Sequence, residues 1–325
     1  MVRELKLAVG IDIGGSKIDI ALVNGSGTVH QHRRIRTQVE GGPSGIEADI
    51  LEIVREMISS AHAHILGVGI GVAGQIDDKT GCVTFAPNLK WRNHPLQQNM
   101  AEALQLPVKV INDVRAITWG EWLYGAGYEC NDLVCMFVGT GIGGGVVSNG
   151  QLLHGFSNTC GEIGHLTIDF HGPLCTCGNR GCLEACAGGW AIAKQAQEAL
   201  RSLDSPNKIM LQLAGNDINQ VTAKMVIEAY HKGDPLALMI MDRFKQAIVA
   251  GCVSIVNAFN PERLILGGGI MQGLPEFIPL IDSSIKHSAL KAATAHLQVL
   301  QPKLDHDEAG VLGASAVIFK FNEKT

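Results

Sequence analysis

The chain has 325 residues, 46% of them hydrophobic and 18% charged, with a formal charge of −5. Single hydrophobic cores stop growing at about 250–300 residues, so this length has room for two domains. A mildly acidic balance gives no electrostatic reason to expect nucleic acid or an anionic membrane as partner. The N-terminal apolar run is short and is broken by Asp12 and glycines, unlike a signal peptide. The longest apolar stretch, Ala247–Phe259, falls short of the roughly 20 residues a membrane helix needs. A cytoplasmic protein is expected. Nine cysteines, an odd number without a secretory signal, argue against a disulfide framework.

In chain order, LKLAVGIDI (Leu5–Ile13) reads as a buried strand, DIGGSK as a turn, and KIDIALVN as a second strand that NGSG closes onto VHQHRRIRT. From Pro43 to Ala63, Ile46, Ile50, Ile53, Val54, Met57 and Ile58 recur at helical spacing. ILGVGIGV is a further strand, Pro95–Leu104 a helix, VKVIND a strand end and Val114–Tyr124 a helix. The stretch Asp132–Leu153 then repeats the opening pattern of strand, glycine turn, strand and Asn-Gly hairpin. The repeat predicts two related α/β domains facing a cleft: a small one over residues 1–112, to which a helix at 309–325 returns, and a large one over 113–308. The large one contains a mostly helical region, Trp190–Ile248, and a strand ending in glycines, ERLILGGGI.

Both glycine turns are candidate anion cradles. Gly14, Gly15 and Ser16 offer backbone and hydroxyl donors after a buried strand, beside Lys17, and Asp12 is placed to hold a hydrated Mg²⁺. A plain hairpin with a solvated Lys17 would read the same way. The second turn, Gly139–Gly145, packs Gly139, Gly141, Gly143 and Gly144 around Thr140, which is entropically costly unless something approaches the backbone closely. Gly268 and Gly269, after ERLIL, would admit a flat ring such as adenine. Neither turn opens a helix, so neither is a P-loop or a dinucleotide fingerprint.

Asn112 and Asp113 sit where a strand gives way to a helix. Either could cap that helix; alternatively, Asp113 accepts a hydroxyl proton while Asn112 orients a substrate. Asn88, in a Pro/Asn loop, suits a polyol or an Asx turn equally. Trp119 and Trp122 read as core or interface. His165, Cys175, Cys177 and Cys182 form H-x9-C-x-C-x4-C, the donor set of a closed structural zinc site, with Gly178 and Gly181 allowing tight folding about the metal. His171 is a competing ligand, and Cys160 and Cys186 read as small buried hydrophobes. A pinned segment would fix the carboxylates of Glu162 and Glu184 as acceptors for a substrate rich in hydroxyls.

Taken together, these residues resemble the ROK family (repressors, open reading frames, kinases) over nearly the whole chain. DIGGSK is similar to its DxGGTK motif with Ser16 for Thr, GTGIGGG to its second phosphate motif, GEIGH to E-x-G-H, and CTCGNRGCLE to CxCGxxGCxE. The resemblance implies an actin/hexokinase-like (ribonuclease H-like) fold with ATP and Mg²⁺ between two domains. It also implies Asp113 as catalytic base, and Asn112, Asp113, Glu162, His165 and Glu184 at the sugar. It implies a homodimer or homotetramer as well. The expected activity is ATP-dependent phosphorylation of a hexose 6-hydroxyl, glucose first and N-acetylmannosamine or N-acetylglucosamine second. The family's repressors carry a winged helix-turn-helix ahead of the first motif; with eleven residues before Asp12 and no basic reading element, a kinase is expected here. VRAITWGEW departs from the family's small-residue helix, and Arg115 is expected either to tune sugar choice or to face solvent.

Overall fold

The computed structural model describes residues 5–202, 208–305 and 308–323. By contacts the chain divides into two units, 1–129 with 150–160 and 302–325, and 130–149 with 161–301.

In the first unit, strands β1 (Lys6–Ile13), β2 (Lys17–Asn24) and β3 (Val29–Arg36) form the expected hairpins. Helix α1 (Gly42–Ser60) follows, burying Ile46, Ile50, Val54 and Met57 along one stripe. Strand β4 (His64–Val72) leads into a three-stranded meander of β5 (Gln75–Ile76), β6 (Val83–Ala86) and β7 (Trp91–His94), which no sequence pattern announced. Helix α2 (Leu96–Leu104), β8 (Val108–Asn112) and α3 (Asp113–Tyr124) complete this part. The main sheet has the order β3-β2-β1-β4-β8, with β1, β4 and β8 parallel. Strands β1 and β4 are nearly continuous apolar runs because helices cover both faces of a parallel core.

The C-terminal helix (Ala309–Glu323) packs on β1, β4 and α3. It comes so close that a Cβ at Gly69 would overlap the carbonyl oxygen of Ala314, and one at Gly10 that of Val311. This return was expected; residues 324 and 325 lie outside the described residues. The sequence boundary at 112/113 differs from the contacts, which put α3 and residues 150–160 in the first unit. The reason is packing: α3 is the chief helical partner of the C-terminal helix, and the buried Glu121 carboxylate on α3 accepts from the backbone of Lys303 and Leu304 (3.2 and 2.9 Å) and of Ala126 (2.7 Å).

The second unit repeats the plan. Strands β9 (Leu133–Val138) and β10 (Ile142–Ser148) form an antiparallel hairpin; the two-residue strand β11 (Gln151–Leu152) falls in the first unit. The helices α4 (Leu183–Ala187), α5 (Gly189–Ser202), α6 (Lys208–Leu213), α7 (Ala223–His231) and α8 (Pro235–Phe259) fill the region expected to be helical. Residues 203–207 of that region lie outside the described residues. Strand β12 (Arg263–Gly267) pairs parallel with β9, and then with β13 (Gln298–Leu300), after α9 (Gly269–Gln272), α10 (Phe277–Ser288) and α11 (Lys291–Thr294). Among the described residues no helix is long and apolar enough to cross a membrane.

Candidate functional site

In the first unit the polar residues gather at the carboxyl ends of the parallel strands, where ligands of α/β sheets bind. Asp12, near the end of β1, pairs with Gly71 of β4, and Val72 pairs with Asn112 at the end of β8. Asp12 and Asp113 therefore face each other across β4: a Cβ at Gly71 would lie 3.6 Å from both Asp12 Oδ1 and Asp113 Cα. The Asn112 side chain accepts from Arg115 N (3.1 Å), so it caps α3; its amide also donates to Asp113 Oδ1 (2.9 Å) and Gly74 O (3.2 Å). Asn112 is thus the cap, and it also fixes the rotation of the Asp113 carboxyl group.

Asp19, which sequence reading passed over, is the cross-strand partner of Asp12. It is buried and receives His32 Nε2 at 2.9 Å, Arg34 Nε at 2.7 Å and Lys17 Nζ at 3.6 Å. The alternation of His32 and Arg34 along β3 was the available signal, since period two sends both toward one strand neighbour. Burial pushes the Asp12 carboxyl up to about 7, and the charges of Asp113 and Asp19 push the same way against Lys17. A buried carboxyl group with a second carboxylate close by is a donor set suited to a hard divalent cation such as Mg²⁺. In the glycine turn, Gly14 N donates to Lys17 O (3.0 Å), and Thr37 ties down Gly14 O (2.7 Å) and Ser16 O (3.0 Å). Gly15 and Ser16 stay exposed, and a Cβ at Gly15 would lie 3.1 Å from that of Asn88, which brings Asn88 to this turn.

In the second unit, one ligand atom from each of His165, Cys175, Cys177 and Cys182 lies within 4.8 Å of the others. Cys177 Sγ and Cys182 Sγ are 3.7 Å apart, as are Cys175 Sγ and His165 Nδ1. A tetrahedron with metal–sulfur arms of about 2.3 Å has edges of about 3.7 Å, so the four residues fit zinc. The local fold makes this spacing: Cys175 N bonds Asn179 O (2.8 Å), Gly178 N bonds Cys175 O (3.0 Å), and Gly178 and Gly181 take φ of 93° and 69°. Burial pushes Cys182 up to about 12, while the Asn179 backbone N–H lowers Cys177. His171 stands outside this cluster, and Cys160 and Cys186 are half-buried rather than buried.

The second glycine turn has two roles. Gly139 has open space on its Cβ side, as a cradle requires. At Gly141 a Cβ would overlap Glu184 Oε2, which accepts from Ile142 N at 2.9 Å, while Glu184 Oε1 accepts from Trp190 Nε1 at 3.3 Å. Gly144 is likewise filled, by Ile163. Glu184 is thereby held to the turn, whereas Glu162 and His165 are exposed. A cavity of about 800 Å³ within this unit is lined by Gly139, Thr140, Trp190, Thr222, Gly269 and Ile270, among others. Trp190 and Thr222 were not foreseen, because nothing in their local sequence marks a pocket wall. Gly268 turns β12 into α9 with φ of 87°.

Arg115 is neither solvent-facing nor at the strand ends: it is 4% exposed, and its guanidinium donates to Leu153 O and Asn158 O (both 3.0 Å). Trp119 is buried and stacks on Trp122 at 4.7 Å, a packing role.

The chain is 36% identical over 317 residues to a glucokinase of Thermotoga maritima, covering 97% of this chain and 98% of that one. It is 30% identical to a xylose repressor of Bacillus subtilis, covering 97% of this chain and 78% of the repressor. A ROK family glucokinase from Streptomyces griseus, solved with glucose and AMPPNP, superposes with a TM-score of 0.79 at 31% identity, covering 97% and 99% of the two chains. The ROK family model matches residues 8–320, and with its strand orders, glycine turns and Cys/His cluster in place, this chain belongs to the ROK family with an actin/hexokinase-like fold.

Proposed function

We propose that the protein is an ATP-dependent hexose kinase that phosphorylates the 6-hydroxyl of glucose. The observation that carries this reading is Asp113, a strand-end carboxylate oriented by Asn112 and set beside the acidic, proton-retaining Asp12. In this reading Asp113 takes the proton of the sugar hydroxyl, whose oxygen attacks the γ-phosphorus. The nucleotide occupies the second unit's cavity, with phosphates at Gly139–Thr140, and the Gly14–Lys17 turn is the first unit's phosphate loop in this reading. Asp12 would hold Mg²⁺, which would supply charge neutralisation on the transferring group. Asn88, Asn112, Glu162, His165 and Glu184 hold sugar hydroxyls. With Nδ1 directed to the zinc cluster, His165 keeps Nε2 for the sugar. The zinc is structural, and the enzyme works in the cytoplasm as a homodimer or homotetramer.

N-acetylmannosamine and N-acetylglucosamine are the alternative substrates. A sugar-responsive regulator is the second reading, favoured by the similarity to the xylose repressor. A coupled ADP-release assay over glucose, mannose, fructose and both N-acetylhexosamines decides among them. Turnover fastest on glucose is expected. Faster turnover on an N-acetylhexosamine moves the substrate, and no turnover alongside tight xylose binding overturns the kinase.

A further inference from the structure

Residues 150–160 are an excursion: the chain leaves the second unit at Asn149, spends eleven residues in the first, and re-enters at Gly161. Glu162 and His165 follow directly. A buried guanidinium ties this excursion to α3. Besides the two carbonyls named above, Arg115 donates to Asn158 Oδ1 and to His154 Nδ1 (2.8 Å). Asn158 in turn donates through Nδ2 to Ile76 O of β5 (2.9 Å) and adopts a left-handed φ of 59°. Cys160 N closes the turn onto His154 O (3.1 Å). Accepting at Nδ1 requires the neutral imidazole, and burial together with the Arg115 charge holds the His154 pKa down. Arg115 itself is two residues beyond Asp113, on the first turn of α3, with its backbone N–H bonded to the Asn112 cap.

We infer that Arg115 is a positioning residue that clamps residues 153–158 to the start of α3. One side chain then sets both the base end of that helix and the point from which the chain departs for Glu162 and His165. The inference rests on the kinase reading for the roles of Asp113, Glu162 and His165, but the clamp itself does not. A planar guanidinium with donors fixed in a fork suits this use, because four acceptors arranged around one group cannot all be met by an ammonium. Sugar affinity is the property it governs, since the chain it fixes leads to the proposed sugar contacts and not to the nucleotide cavity.

The test uses R115M, R115K and N158A in the full-length protein. Hydrogen–deuterium exchange over 153–160 is expected to rise about tenfold or more in R115M and N158A, as local opening becomes easier. Exchange in β9 and β12 should stay unchanged. The calorimetric dissociation constant of the best-binding sugar should weaken about tenfold in R115M, with ATP affinity within twofold and R115K intermediate. The double variant should be little worse than R115M alone, because both changes break one device. Unchanged exchange over 153–160 in folded N158A and R115K overturns the clamp. Raised exchange with unaltered sugar affinity overturns the positioning role. Neither readout needs turnover, so a wild-type protein that phosphorylates nothing sinks the kinase reading and leaves this one to stand or fall by itself.

Discussion

The two units are built on one plan and stabilise their polar groups in opposite ways. Each has an antiparallel hairpin over a glycine turn, followed by strands that add parallel on the far side: β2-β1-β4-β8 in the first, β10-β9-β12-β13 in the second. In the first, protein groups close the network, with Asp19 meeting Lys17, His32 and Arg34, and Asn112 meeting Asp113. In the second, the segment after the hairpin gathers three thiols and an imidazole whose ligand atoms lie within 4.8 Å of one another. A repeated fold therefore need not repeat its means of support: one copy closes its network with its own side chains, and the other gathers a donor set that fits a metal ion.

Stripping zinc gives the largest expected effect, because a structural site's binding energy is folding energy, of order 10 kcal/mol in small zinc peptides. Chelation should raise exchange over 165–186 by orders of magnitude and leave the Asn112 cap protected. Substoichiometric zinc in unchelated protein, or equal loss of protection in both units, would break the contrast. Next is Asp113→Asn, which keeps the hydrogen bond of the cap region but cannot take a proton; steady-state kinetics should show kcat lower by about 10³-fold at nearly unaltered sugar affinity. A drop below threefold removes Asp113 from the chemistry.

The glycine turns separate more finely. Gly141→Ala forces a methyl group onto Glu184 Oε2 and should cost about 2 kcal/mol in denaturant melts. Gly139→Ala, with open space before it, should leave stability within about 0.5 kcal/mol and instead weaken nucleotide binding. Equal costs at the two positions would erase the division of labour in that turn. A pH-dependent effect concerns Asp12. Its folded-state value of about 7 lies above the ordinary 3.8, so the folded protein holds a proton the unfolded chain has lost. Stability from this group is present below about pH 4 and is lost as pH rises through 7. Asp12→Asn should stabilise metal-free protein by about 2 kcal/mol above pH 7, with the gain shrinking toward pH 4. A gain that grows as pH falls would reverse the sign and refute the desolvated carboxyl.

Much of this was legible because it is local. Strand hairpins, the α1 stripe and the Cys/His spacing are each written within about twenty residues, and the repeat emerges by setting two such stretches side by side. What was illegible is set by distant partners. Arg115 read as either a residue tuning sugar choice or a solvent-facing cation because its acceptors at 153–158 are some forty residues away, and Glu121 gave no hint of holding Lys303 and Leu304. Gly141 read as room for phosphate, although its neighbour is Glu184. Burial of a charge is a property of the assembled chain, and a single sequence shows the charge without its partners.

The placement of the C-terminal helix bears on how the chain is made. During vectorial synthesis the second unit, contiguous from 161 to 301 apart from its first hairpin, is made before residues 309–323. Strands β1 and β4, made first, must wait with one apolar face bare until the last helix emerges to cover them. The earliest part of this protein to be synthesised is thus the last to be finished, and a nascent chain stalled near residue 300 should be a favoured client for chaperones.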